Sequence, residues 1–81
     1  MIRVRFLGHL ATHYKEEMEF QEGKMSVAEL LNRLNLKEGP KITRANTLIL
    51  VNGVEVSALK GDETEVEGDA LITLIPISHG G

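Results

Sequence analysis

The 81-residue chain contains no cysteine, which excludes a disulfide framework, a thiolate metal site and a thiol nucleophile, so any sulfur it handles must be brought to it. It has no tryptophan, one tyrosine and two phenylalanines, and its nine basic side chains are outnumbered by twelve acidic ones. With a net charge of −3 and no basic stripe interleaved with aromatics, nucleic acid is excluded as an expected partner. No apolar run approaches the roughly 18 residues of a membrane span. The opening Met1-Ile2-Arg3-Val4-Arg5-Phe6 alternates charge with apolar residues and lacks the apolar core of a signal peptide. A cytoplasmic protein with no membrane partner is the expectation. There is no Walker-type phosphate loop, no Ser-His-Asp set and no metal cluster. A single small domain of this length buries only about 60–65% of its unfolded surface, which leaves room for one modest core and no deep pocket. The chain is therefore not expected to be an enzyme on its own.

What the chain does have is concentrated at its end, Pro76-Ile77-Ser78-His79-Gly80-Gly81. A terminal Gly-Gly arises by chance in roughly 0.5% of chains at ordinary glycine usage. Before it, Ala70-Leu71-Ile72-Thr73-Leu74-Ile75 is a continuous, β-branched run entered through Gly68-Asp69, the pattern of a buried strand. Glycines beyond such a strand have no Cβ, so the segment can thread a channel too narrow for side chains.

In chain order, Ile2, Val4 and Phe6 alternate with Arg3 and Arg5 and predict a half-buried strand ended by Gly8. A short polar turn through His9, Thr12 and His13 is expected to lead into a second strand over residues 15–20, with Met18 and Phe20 on one face, so that the two form a hairpin. Ser26-Val27-Ala28-Glu29 is a capping box, with the Ser26 hydroxyl accepting from the Glu29 amide and the Glu29 carboxylate reaching back to Ser26. Val27, Leu30, Leu31 and Leu34 then form one apolar stripe for packing on a sheet, and Gly39-Pro40 requires a stop by about residue 38. Residues 41–46 read as polar loop. Leu48-Ile49-Leu50-Val51 is a short strand, Asn52-Gly53 suits a type I′ turn, and Val54-Glu55-Val56 returns antiparallel. From Ser57 to Asp69 no helical period emerges, though Leu59 and Val66 are expected to anchor a turn beneath the sheet. The last strand is expected centrally because both its faces are apolar.

This order of elements is that of an α+β, β-grasp domain: a mixed five-stranded sheet covered by one main helix, with residues 76–81 as a flexible tail. The order, the capped helix and the terminal Gly-Gly together resemble the ubiquitin-like sulfur carriers of MoaD and ThiS type, specifically the small subunit of molybdopterin synthase. The resemblance covers essentially the whole chain. It rests on Val4-Arg5-Phe6-Leu7-Gly8-His9-Leu10, Ser26-Val27-Ala28-Glu29-Leu30-Leu31, Val51-Asn52-Gly53-Val54, and Glu67-Gly68-Asp69 before the last strand. Family members often end in Pro-Pro-Val-Ser-Gly-Gly, and the His-Gly-Gly here is also similar to the ending of ubiquitin-related modifiers that supply sulfur to transfer RNA and can be joined to lysines. The thiazole-synthesis carriers of ThiS type are usually shorter and rank third.

The chemistry needs no family to state. A terminal carboxyl with a pKa of about 3.5 is ionised at neutral pH, and the carboxylate is a poor electrophile. Nothing in the chain activates it, so a partner must. The resemblance implies that an ATP-using adenylating enzyme converts Gly81 to an acyl-adenylate and that sulfur displaces AMP. The thiocarboxylate is then delivered inside the molybdopterin synthase large subunit or an equivalent acceptor, with no cofactor held stably by the carrier itself. Gly80 and His79 belong to the access segment. Thr73, the one polar residue of the last strand, marks its open face, which places Ile75 outward; by analogy with ubiquitin-like strand order, Leu48 and Leu50 also face out, and with Ile77 they form the expected partner surface.

Three further groups carry weaker expectations. His9 and His13 have the i, i+4 spacing of a metal pair, but a loop is expected there and no third ligand is evident. His79 could position something in a partner's site, though a solvated residue is the simpler reading. The acidic set Glu55, Asp62, Glu63, Glu65, Glu67 and Asp69 reads as solvated surface, or as a steering field toward a basic partner. The same fold also serves as a non-covalent adaptor, in which case Gly-Gly would carry no chemistry.

Overall fold

A computed structural model describes residues 1–77. Five strands form the main sheet: β1 (Ile2–Phe6), β2 (Glu17–Phe20), β4 (Thr47–Val51), β5 (Val54–Glu55) and β7 (Leu71–Pro76), in the order β2-β1-β7-β4-β5. β7 lies at the centre, parallel to β1 and antiparallel to β4. The helix α2 (Val27–Asn35) covers one face, and the architecture is a β-grasp.

The alternation in β1 works as the sequence suggests, with Ile2, Val4 and Phe6 buried and Arg3 and Arg5 exposed. On α2 the stripe Val27, Leu30, Leu31 and Leu34 is buried against Ile49, Val51, Ile72 and Leu74. At about 1.5–3 kcal/mol per large side chain removed from water, this layer is the main source of stability. Asn52 and Gly53 both take positive φ, at 50° and 86°, as a type I′ turn requires. Among the described residues no helix is long and apolar enough to cross a membrane.

Several local expectations are corrected. Residues 9–14 are a short helix, α1 (His9–Tyr14), and not a polar turn, so β1 and β2 pair antiparallel across a longer connection than a tight hairpin. The cause is tertiary. Six residues cannot hold a helix alone, and Gly8 supplies no side-chain cap, but Leu10 and Tyr14 bury on one side and Tyr14 stacks on Phe6 at 5.0 Å between ring centroids. The Tyr14 hydroxyl donates to the Pro40 carbonyl at 3.1 Å. His13 Nε2 donates to the Glu38 carbonyl, and Gly39, at φ 137°, leaves the space in which the His13 ring sits.

The capping box forms by half. Ser26 Oγ accepts from the Glu29 amide at 3.1 Å, while the Glu29 carboxylate lies 3.4 Å from Arg33, one turn further on. Arg33 also pairs with Glu22, and the guanidinium holds that carboxyl below the ordinary carboxylate range. A second, two-stranded sheet of β3 (Lys24–Ser26) and β6 (Glu65–Glu67) was not legible in the sequence. Val56 leaves β5 for a 3₁₀ turn, Val56–Ala58, and a second such turn spans Gly61–Glu63.

Two apolar anchors change places. Val66 is buried as expected, but Leu59 is 45% exposed, whereas Ile42, a lone apolar residue in a polar loop, is 1% exposed. Asn35 explains Ile42: its side chain accepts from the Ile42 amide and donates to the Ile42 carbonyl, both at 2.8 Å, so the buried backbone is satisfied. Ile42→Ala should therefore lower unfolding stability by about 2–4 kcal/mol and Leu59→Ala by less than about 0.5 kcal/mol, measured by urea denaturation at constant slope. Equal losses from the two would contradict this assignment of the core.

Candidate functional site

The face of the sheet opposite α2 has no element of the described residues packed on it, and its composition changes strand by strand. β2 contributes Glu17 and Glu19, β1 contributes Arg3 and Arg5, β7 contributes Leu71, Thr73 and Ile75, β4 contributes Leu48 and Leu50, and β5 contributes Glu55. The registers explain the grouping. Leu48 lies opposite Ile75, Leu50 opposite Thr73 and also opposite Glu55, and Arg5 beside Thr73. All five β7 and β4 residues are half-buried, so the centre of the face is an apolar strip with a charged flank. Arg3 Nη1 lies 3.7 Å from Glu17 Oε1, which balances part of that flank.

The strip runs toward the chain end. β7 extends through Pro76, which pairs with Thr47, and the Ile77 amide donates to the Asn46 carbonyl at 2.9 Å. The strand thus continues past Ile75, and Pro76 is not part of a tail: β4 begins at Thr47, one residue before the apolar run that marks it in sequence, and so supplies the extra partner. Ile77 is 41% exposed beside this end of the strip. The other expected site residues, His79, Gly80 and Gly81, lie outside the described residues.

One surface residue escaped the sequence reading. Leu7 is 39% exposed, and its amide donates to the Leu74 carbonyl at 3.1 Å, one residue beyond the Phe6–Leu74 pair. It therefore stands next to Ile75. The signal was present, since Arg3, Arg5 and Leu7 share the outward parity, but Gly8 drew attention to the end of the strand.

Three groups among the described residues are displaced from their ordinary titration range, each by its local contacts. Glu55 accepts from the Ser57 amide and hydroxyl, at 2.5 and 2.7 Å, which lowers its pKa; Glu22 is lowered by Arg33; burial raises that of Tyr14. The first two are ionised and the third protonated at neutral pH. His9 and His13 do share a helix, contrary to the expected loop, yet no group of three His, Asp or Glu side chains able to hold a metal occurs among the described residues. What this face offers is an apolar strip of half-buried side chains between charged flanks.

The half-buried setting of the strip separates it from the core beneath. Leu50→Asp and Ile75→Asp should leave the fold intact, with losses of about 1 kcal/mol or less, whereas Ile49→Asp, which places a charge under α2, should unfold the chain. Thermal melts followed by circular dichroism decide this, and loss of the cooperative transition in Leu50→Asp would show that the faces are reversed.

The fold is similar to that of several solved structures. A chain of the Amycolatopsis orientalis BexX/CysO complex matches with 23% identity over 100% of both chains at a TM-score of 0.71. The Haloferax volcanii HVO 2177 protein matches with 20% identity over 99% of this chain and 85% of its own, at a TM-score of 0.76. The thiamine biosynthesis protein ThiS of Geobacter metallireducens matches with 15% identity over 98% of this chain and 99% of its own, at 0.58. No curated protein matches the sequence significantly. The family model of ThiS covers residues 4–81, and the chain therefore belongs to the ThiS family.

Proposed function

We propose that the protein is a sulfur carrier whose Gly81 carboxylate is adenylated by a partner and converted to a thiocarboxylate. The observation that carries this reading is the junction of an apolar strip with the end of β7, five residues before Gly81, in a chain of the ThiS family. The carboxylate oxygen attacks the α-phosphorus of ATP and pyrophosphate leaves. The terminal sulfur of a persulfide on the partner then attacks the acyl carbon and AMP leaves; a thiol attacks the partner's sulfur of the resulting acyl disulfide, the S–S bond breaks, and the thiocarboxylate departs while the two thiols remain joined as a disulfide. The carrier supplies only the acyl group and the surface that presents it. The adenylating enzyme uses the ATP, and no stably held cofactor is required of the carrier.

The acceptor we favour is the molybdopterin precursor, delivered within a molybdopterin synthase-like complex, because the opening strand motif through Leu10 and the Val51-Asn52-Gly53-Val54 turn resemble that small subunit. Membership of the ThiS family supports a thiazole precursor as the second reading. Transfer of the carrier's sulfur to one precursor and not the other, with each acceptor complex supplied, separates them.

Deleting Gly81, or adding one residue after it, should abolish ATP–pyrophosphate exchange by the adenylating enzyme without lowering the melting temperature. Normal exchange by the truncated chain would favour the non-covalent adaptor. Gly80→Ala should change stability by well under about 1 kcal/mol and sharply reduce transfer. Leu50→Asp or Ile75→Asp should weaken binding to the activating enzyme by at least about 2 kcal/mol, the range of interface hot spots. A folded variant with undiminished affinity would place docking elsewhere.

A further inference from the structure

The loop between α2 and β4 is bonded more densely than a surface connection requires. Asn46 is exposed, yet its side chain makes three hydrogen bonds: Oδ1 accepts from the Thr43 amide at 2.9 Å and from the Thr47 hydroxyl at 2.7 Å, and Nδ2 donates to the Lys41 carbonyl at 2.9 Å. Its own amide donates to Thr43, to the carbonyl at 3.2 Å and the hydroxyl at 3.3 Å. The far end of the loop is tied to the helix, because Asn35 brackets Ile42 and the Lys41 ammonium donates to the Asn35 carbonyl at 2.8 Å. Ile42 is itself in the core.

All of this holds one backbone carbonyl in place. The Asn46 carbonyl faces the end of β7 and receives the Ile77 amide at 2.9 Å. On the opposite side of the strand the Pro76 ring lies so close to Gly8 that a Cβ there would meet it at 3.1 Å. A groove of about 330 Å³, lined by His9, Pro40, Lys41, Asn46, Pro76 and Ile77, runs along the same point. The last residues before Ser78 are thus gripped from both sides.

We propose that residues 41–46 form a collar that fixes the root of the tail, and that Asn46 is a positioning residue for the activation step: it sets the direction in which the chain leaves the sheet before the adenylating enzyme engages it. This rests on the carrier reading and adds a residue to it. Four residues span at most about 14 Å, so the position of Ile77 limits where Gly81 can reach. With the root already ordered, the enzyme docks on the apolar strip and receives the terminus from a fixed point; without the collar, Ile77 must be ordered during binding. That cost falls on association and not on the chemistry of the bound complex.

The test uses the full-length chain and Asn46→Ala. In the wild type the Ile77 amide should exchange with solvent about tenfold or more slowly than an unstructured amide, and in Asn46→Ala it should approach the unstructured rate while the Ile72 and Leu74 amides keep their protection. In ATP–pyrophosphate exchange with the E1-like adenylating enzyme of the same organism, Asn46→Ala should raise the KM for the carrier about tenfold, the equivalent of ordering one backbone residue, with kcat nearly unchanged. Asn46→Asp, which keeps the acceptors for Thr43 and Thr47 and loses the donor to Lys41, should fall between the two. An unprotected Ile77 amide in the wild type, an unchanged KM in Asn46→Ala, or loss of core protection in that variant would each overturn the proposal. Failure of the wild type to be activated would overturn the carrier reading and this one with it, whereas normal activation with an unchanged KM overturns this one alone.

Discussion

The pairing of β7 with β1 on one side and β4 on the other is the constraint on which the rest of the molecule depends. A central strand must bury one face under α2 and satisfy backbone groups along both edges, so Ile72 and Leu74 go inward and Leu71, Thr73 and Ile75 go outward by parity alone. The outward set then meets Leu48 and Leu50 of β4, whose parity is fixed by Ile49 and Val51 beneath the helix. A one-residue slip of β7 would bury Thr73 and expose Ile72 and Leu74, and one of β4 would expose Ile49 and Val51. The apolar strip on the open face is thus a consequence of the same register that holds the fold together, and it leads toward Ile77 because β7 is the last strand among the described residues.

This arrangement divides the protein into parts with different tolerances. The layer between α2 and the sheet is closely packed, and truncations there open cavities. The open face is half-buried and flanked by Arg3, Arg5, Glu17 and Glu19, and no described element packs over it. The 41–46 loop stands between the two, since it reaches the core through Ile42 and the strand end through Asn46. The proposed carrier role would use this separation, because the surface can be matched to a partner while the sheet stays constant.

Much of this was legible in the sequence wherever a periodic pattern spanned a whole element. The β1 alternation, the α2 stripe with its Ser26 cap, the Asn52-Gly53 turn and the two-sided apolar character of the last strand each determine a local structure, and together they leave the β-grasp as the architecture. What was not legible depends on contacts between distant residues. Helix α1 exists because Tyr14 stacks on Phe6 and Leu10 enters the core, β3 because it meets β6 some forty residues later (Met25 opposite Val66), and Ile42 is buried because Asn35 satisfies its backbone. None of these leaves a period to read. Leu7 was missed for the opposite reason: its parity was clear, but the glycine after it suggested that the strand had ended.

The central claim is that the Gly81 carboxylate carries sulfur, and intact-protein mass spectrometry tests it most directly. The full-length chain would be incubated with the adenylating enzyme, ATP and a sulfur donor, and then fragmented. A thiocarboxylate at Gly81 gives a mass gain equal to the replacement of one oxygen by sulfur, confined to the fragment that contains Gly81 and lost when ATP is omitted. An unchanged mass under conditions in which the enzyme consumes ATP on a control carrier, or a sulfur atom found on any other residue, would contradict it.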